Sequence, residues 1–317
     1  MYDTITLFVN AEDVPGTDFM AELPLKLSNI SEVHAPYAGA IKVRGALSNF
    51  HATVSHSGLL LTGSLCKYFF GENQHTLTLE NTREAFGKLF AELGLPIEQA
   101  KVYRIDIAAN YEVDKVPCSY FSYMGDAKYY TRSLLSTSLY YKNNGRQLVM
   151  YDKLLEQEHK KTPIIPEYVG KKILRYEYRL RKRLAERMGR TEVRPLDLCD
   201  PVFYRSLLEK YQQEYFNVEK YSLVDFAPDV MTDTKSFIGQ LALLGIQNIG
   251  GQLAVNDIII RANKQGIFDN SMQYKRVRDK VKEICNMPLL TCKSPHIDEL
   301  TAKITARVAA EITSLPS

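Results

Sequence analysis

Arg146-Gln147-Leu148-Val149-Met150-Tyr151-Asp152-Lys153-Leu154-Leu155-Glu156 is the stretch on which the fold turns. An apolar, strand-like run ends in a tyrosine and passes into the spacing Tyr-x-Lys-x-x-Glu. Immediately before it, Ser138-Leu139-Tyr140-Tyr141-Lys142 is a second β-prone run, and Asn143-Asn144-Gly145 joins the two. Asn-Gly is the strongest short hairpin signal, because both turn positions tolerate positive φ. A hairpin that ends in a tyrosine is ordinary by itself. It gains meaning from two further strands, each with one carboxylate at its centre.

The first runs from Lys101 to Val113. Tyr103, Ile105, Ile107, Ala109 and Tyr111 alternate onto one face, and Arg104, Asp106, Ala108 and Asn110 onto the other. The second runs from Ile173 to Arg181, with Leu174, Tyr176, Tyr178 and Leu180 opposite Arg175, Glu177, Arg179 and Arg181. In one sheet, Asp106 and Glu177 would project onto the same surface. Two oxygen ligands on a rigid sheet suit Mg²⁺ or Mn²⁺. The competing account is that each carboxylate pairs with a neighbouring arginine, and spacing alone favours that pairing.

Tyr151 is the candidate nucleophile between these strands. A phenol ionises only at about pH 10, so attack at neutral pH needs a base, a metal or a cation beside it. Lys153 shares a face with Tyr151 if the segment stays extended; if a helix has begun, it neighbours Glu156 instead. His51 and His56, five apart, fall on opposite faces of a strand and do not form a two-histidine site. His51 alone is an outside candidate for a third ligand.

Before the first of these strands, Thr4 to Val9 is an alternating strand, followed by a Pro- and Gly-punctuated connection. Ser48–Ser55 and Leu59–Thr62 form a hairpin about His56-Ser57-Gly58. Gly63 to Gly71 reads as a glycine-flanked loop or strand. Leu79 to Leu93 is a helix stopped by Gly94. Ser119 to Leu135 has no firm period, and Glu156 to Gly170 reads as a polar connection. Asp200-Pro201 caps a helix running to about Phe216, and helices are expected at 232–244, 252–264, 271–286 and 296–313. The glycine-rich turn Leu244–Gly251 gives a helical hairpin, a form common in proteins that never touch DNA. The expected fold is α+β: an antiparallel sheet with packed helices, then an α-helical carboxy-terminal domain.

A length of 317 residues suggests about two domains, and 45% hydrophobic with 24% charged residues fits a globular chain. The net charge of +3 says little, but Lys171 to Arg190 holds nine bases against Glu177 and Glu186, a concentration that attracts a polyanion. Five scattered cysteines with no Cys-x-x-Cys pair argue against a zinc ribbon or a disulfide framework and fit a reducing cytoplasm. No apolar run reaches the length of a membrane span, and the amino terminus carries no secretion signal. P-loops, dinucleotide fingerprints, internal repeats and low-complexity tracts are absent.

Tyr103-Arg104-Ile105-Asp106-Ile107-Ala108-Ala109-Asn110, then Met150 to Glu156, then Leu174-Arg175-Tyr176-Glu177-Tyr178-Arg179-Leu180 occur in that order. The ordered set resembles the motifs of the phage/plasmid replication proteins of the II/X family, the filamentous-phage type of rolling-circle initiator. Tyr2–Leu7 and Gly63–Gly71 also look like family features. The resemblance covers roughly residues 1–190. It implies a nicking and joining domain related to the HUH endonucleases, expected at residues 1–195, before a helical domain at 196–317. It further implies that Tyr151 attacks a phosphodiester to leave a free 3′ hydroxyl and a 5′-phosphotyrosyl link, aided by Lys153. Asp106 and Glu177 would hold the divalent ion, Mg²⁺ or Mn²⁺, and Arg104, Arg175, Arg179 and Arg181 would hold the strand. The implied partners are single-stranded or supercoiled origin DNA and a host helicase and polymerase, in the cytoplasm of a bacterial cell. One departure stands out: the chain has no His-hydrophobic-His motif, so the third ligand is unidentified, with Glu156 one candidate among several. The alternatives are a non-catalytic DNA-binding protein or repressor on the same fold, and an RNA-binding sheet that stacks bases on some of the 20 tyrosines.

Overall fold

A computed structural model, which describes residues 1–34, 41–221, 224–226, 228–289, 291–293 and 295–316, places all three of those strands in one antiparallel sheet. In chain order the first eleven strands are β1 (Tyr2–Asn10), β2 (Ser28–His34), β3 (Ile41–Leu47), β4 (Phe50–Ser55), β5 (Gly58–Ser64), β6 (Ala100–Glu112), β7 (Met124–Ala127), β8 (Thr131–Leu134), β9 (Ser138–Lys142), β10 (Arg146–Asp152) and β11 (Ile173–Leu180). The ten-stranded sheet has the order β2-β3-β4-β5-β1-β6-β11-β10-β9-β8. The strands carrying Asp106 and Glu177 are therefore neighbours, and the strand carrying Tyr151 comes next. The connection after β1, read from sequence as irregular, contains β2 and β3; its residues 35–40 lie outside the described ones.

One face of the sheet is a packed core and the other is polar. Ile5, Leu7, Leu61, Ile105, Ile107, Leu148, Met150 and Leu180 are fully buried on the core face. Against them lies the helix Leu79–Leu93, whose Ala85, Phe86, Leu89, Phe90 and Leu93 form its buried stripe. It begins where the Thr78 side chain accepts the Asn81 N–H and ends at Gly94, which supplies the left-handed closure at φ +66°. The helix Pro201–Phe216, capped by Asp200, packs a tyrosine layer onto the middle strands. The Tyr176 and Tyr211 rings are 4.5 Å apart, and Tyr111 and Tyr211 share a hydroxyl–hydroxyl bond of 2.9 Å. These three phenols thus contribute apolar area while each oxygen keeps a partner. The tyrosines of β11 are core residues, which removes them as base-stacking surfaces.

The hairpin β9–β10 forms as expected, but not through positive φ. None of Asn143, Asn144 and Gly145 takes a left-handed conformation. Instead Asn143 Oδ1 accepts the backbone N–H of Gly145 at 3.0 Å and of Arg146 at 2.8 Å, a side-chain substitute for a backbone turn. Gly63–Gly71 is corrected: it holds the helix Leu65–Phe70, started by Ser64 accepting the Lys67 N–H and closed by Gly71 at φ +84°. The start of the connection after Tyr151 is likewise a helix, Lys153–Lys160. Ser119–Leu135 resolves into a 3₁₀ turn (Pro117–Tyr123) and the short strands β7 and β8.

The alternation expected along β6 fails at one residue. Leu7 pairs with Val102 while Thr6 pairs with Arg104, so Tyr103 is the extra residue of a β-bulge. It is 51% exposed rather than buried with Ile105 and Ile107.

Two compact units make up the chain: Met1–Tyr221 with His296–Ser317, and Ser222–Pro295. The expected boundary at 195/196 is not where the chain divides by compactness. The helices Pro201–Phe216 and His296–Thr313 belong with the sheet. The second unit holds the helices Pro228–Thr232, Thr234–Ile249, Gly251–Lys264 and Ser271–Cys285. No helix among the described residues is long and apolar enough to cross a membrane.

Candidate active site

The polar face of the sheet is organised by three strands. Across β10–β11 the register sets Tyr151 opposite Arg175 and Val149 opposite Glu177; across β11–β6 it sets Arg179 opposite Asp106. Tyr151, Glu177, Arg175, Arg179, Asp106 and Arg104 therefore share one surface, as alternation predicts. Asp152 ends β10 and starts the next helix in a single residue, its carboxylate accepting the N–H groups of Leu154 and Leu155 at 3.1 Å. That cap fixes Tyr151 at the strand end.

The Tyr151 hydroxyl donates to Glu177 Oε1 at 2.8 Å. Glu177 is buried and also accepts Arg175 Nε at 2.8 Å and Arg179 Nε at 2.8 Å. Asp106, 2% exposed, is forked by Arg104, with Nε to Oδ1 at 2.9 Å and Nη2 to Oδ2 at 2.5 Å. Arg179 Nε stands 3.8 Å from Asp106 Oδ2, so one guanidinium bridges both acids. The arginine pairing that spacing favoured is the arrangement found.

The two carboxyls are pushed apart in proton affinity. Burial raises Asp106 to about 6 in spite of the Arg104 fork, and the charge of Glu177 adds to the rise. Burial also opposes ionisation of Glu177, but Arg175 and Arg179 outweigh it and hold that carboxyl well below the usual range. Tyr151 is raised well above its ordinary value by burial and then by Glu177, so its phenol is neutral and a donor in the free protein.

Lys153 occupies the first turn of its helix and does not share a face with Tyr151. Its ammonium, 1% exposed, donates to Asn73 Oδ1 at 3.0 Å and Glu156 Oε2 at 2.9 Å. Burial lowers its proton affinity, and Arg175 lowers it further. Glu156 is held by Lys153 and Lys160. Arg181 follows the last residue of β11 and is exposed, with no ion pair among the described residues. His51 sits on β4, three strands from β6 in the sheet order, or about 14 Å at ~4.8 Å per strand. Among the described residues no three His, Cys, Asp or Glu side chains group closely enough to hold an ion.

Sequence reasoning missed a buried support beneath the site. Asp3 accepts Arg175 Nη2 at one oxygen and the Ser64 hydroxyl at the other, the latter at 2.5 Å. Arg175, 3% exposed, thus bridges Asp3 and Glu177, and its Nη1 also donates to Asn73 O and Asn110 Oδ1. Gln74 closes this end of the face, accepting from Asn110 and Tyr168 and donating to Pro163. The signal available was an acid at the head of an otherwise apolar, alternating strand. Arg175, expected to touch DNA, is enclosed.

A family model describing the N-terminal region of a phage replication-associated protein matches residues 1–199. No curated protein matches the chain.

Proposed function

The chain belongs to this family of phage replication-associated proteins, and from that premise we propose that it initiates rolling-circle replication by nicking and rejoining single-stranded origin DNA. The observation that carries this reading is the Tyr151 hydroxyl aimed at Glu177 on a face shared with Asp106 and three arginines.

In the proposed reaction the Tyr151 oxygen forms a bond to phosphorus while the bond from phosphorus to the 3′ oxygen breaks. The phenol proton leaves along the existing bond toward Glu177 and passes to solvent water, and the departing oxygen takes up a proton from solvent water to become a 3′ hydroxyl, the end a polymerase extends. The 5′ phosphate stays on tyrosine, so attack by a 3′ hydroxyl reverses the step without ATP. Asp106 and Glu177 are the side chains that would hold Mg²⁺ or Mn²⁺; two carboxylates fit such an ion, which takes water and substrate phosphate for its remaining ligands. When bound, that ion would polarise the scissile phosphate. Arg104 and Arg179, 24% and 26% exposed, occupy the carboxylates in the free protein and would turn outward onto DNA phosphate. Arg175 stays in place and keeps Glu177 ionised.

One observation favours the non-cleaving reading: both acids are already neutralised by guanidinium groups. Incubating the protein with single-stranded DNA from the origin of its own replicon and Mn²⁺ separates the two. Cleavage to a fragment with a free 3′ hydroxyl supports the initiator. Tight binding with the DNA intact under every divalent ion supports the DNA-binding protein.

A further inference from the structure

The bulge in β6 leaves an aromatic ring standing on the polar face, and the surroundings of that ring point to a ligand. Tyr103 is 51% exposed, although it lies within a 13-residue strand near the middle of the sheet. Phe8 of β1 supports it edge-on, with ring centres 6.4 Å apart and planes at 70°. Tyr103 lines a groove of about 670 Å³ shared with Lys101 and the turn following β11. That volume falls within the range of about 300–1,000 Å³ typical of small-molecule sites.

Charge around the ring is not balanced. Arg183 is paired with Glu186, Arg190 with Asp197 and Lys101 with Glu192. Arg181 and Lys182, on the same wall, make no ion pair among the described residues; Lys182 reaches only the Asn144 amide oxygen at 3.3 Å. An exposed ring beside two unpaired cations is the combination that binds single-stranded nucleic acid: a π face for a base and charges for the adjoining phosphates. The groove adjoins the candidate active site along the chain: Arg104 follows Tyr103 on β6, and Arg181, one residue past the end of β11, lies two residues beyond Arg179. Bulges are used in this way, to re-aim a side chain beside a site.

We propose that this groove is a nucleotide subsite for single-stranded DNA, with a base stacked on Tyr103 and its flanking phosphates on Arg181 and Lys182. It rests on the reading that the strand runs across this face, and adds where the DNA next to the scissile phosphate is held. Stacking on a lone ring tolerates any base, so the subsite contributes affinity and placement rather than sequence choice.

The chain has no tryptophan, so Tyr103→Trp installs a single fluorescent reporter in the groove. The titrant is a short oligodeoxythymidine, compared with an abasic strand of equal length, both without divalent ion so that no cleavage intervenes. The oligodeoxythymidine quenches the emission and the abasic strand does not. Tyr103→Ala weakens oligodeoxythymidine binding on the order of tenfold and leaves abasic binding unchanged, whereas Tyr103→Phe binds like wild type. Unquenched emission on a strand that binds, or equal affinity in Tyr103→Ala, overturns the subsite. A parallel incubation with single-stranded origin DNA and Mn²⁺ keeps the two readings apart: an adduct on Tyr151 there, with unquenched emission in the metal-free titration, would overturn the subsite alone. Quenching in the titration with no adduct in the Mn²⁺ incubation would leave the subsite standing and overturn nicking. A wild-type protein that binds neither strand overturns both.

Discussion

Tyr151 and Arg175 donate to the same oxygen, Glu177 Oε1, each at 2.8 Å. The phenol and the buried guanidinium are thus coupled through one carboxylate, which accepts Arg179 on its other oxygen. Neutralising that carboxylate removes the proton acceptor and leaves Arg175 buried with Asp3 as its remaining ionic partner. Glu177→Gln should therefore abolish cleavage and also destabilise the fold by about 3–5 kcal/mol, as breaking a buried pair does. Thermal melts beside single-turnover assays check both halves; an unchanged melting temperature would mean that the Arg175 bridge contributes little.

Asp106 gives the opposite result on stability. Its carboxyl is raised in the folded protein, from 3.8 to about 6, so it contributes stability below pH ~4 that is lost as pH rises through 6. Asp106→Asn has no such loss. The stability of Asp106→Asn relative to wild type should rise by about 2 kcal/mol between pH 4 and pH 7, while cleavage disappears. Urea melts at the two pH values measure the difference, and a pH-independent difference would place the Asp106 carboxyl in its ordinary range.

Much of this site was legible. Alternation along β11 put Arg175, Glu177 and Arg179 on one face, and the Asn-Gly hairpin delivered Tyr151 to the end of β10. Three features were not legible, each for a physical cause. Tyr103 points outward because of a bulge that depends on the partner strand, and no pattern within β6 encodes a register shift. Asp3 joins the site through Arg175, which lies 172 residues further along the chain. Lys153 was open between a face shared with Tyr151 and a helix shared with Glu156, and the Asp152 cap, which decides for the helix, depends on where the strand pairing stops. The arginines were assigned to DNA, but burial distinguishes them: Arg175 is enclosed, Arg179 is a quarter exposed and Arg181 is open.

That gradient makes a salt experiment informative. Arg181→Ala should flatten the dependence of log affinity on log salt for single-stranded DNA by roughly 0.7, the loss of one phosphate contact. Arg179→Ala should leave the slope unchanged without divalent ion, because its charge is spent on Glu177. Fluorescence anisotropy across a salt series decides; equal slopes for Arg181→Ala and wild type would place Arg181 in bulk solvent.

Asp3→Asn tests the buried support. Asp3 positions Arg175 and touches no substrate, so the variant should bind single-stranded DNA with wild-type affinity. It should form the covalent adduct more slowly, on the order of tenfold to a hundredfold, since small displacements of a reacting group cost that much. A loss of affinity with an unchanged adduct rate would assign Asp3 to DNA binding instead.

The most direct measurement is the site of covalent attachment. Tyr140, half-buried on β9, is the nearest rival, and Tyr141 is fully buried with its hydroxyl on Gly125 O at 2.7 Å. Wild-type protein, labelled single-stranded origin DNA and Mn²⁺ are combined, resolved on a denaturing gel, and the adduct is mapped by peptide mass. One adduct is expected, on the peptide containing Tyr151, absent in Tyr151→Phe although that variant still binds the DNA. An adduct that survives in Tyr151→Phe, or that maps to Tyr140 or Tyr141, would contradict the assignment of Tyr151 as the nucleophile.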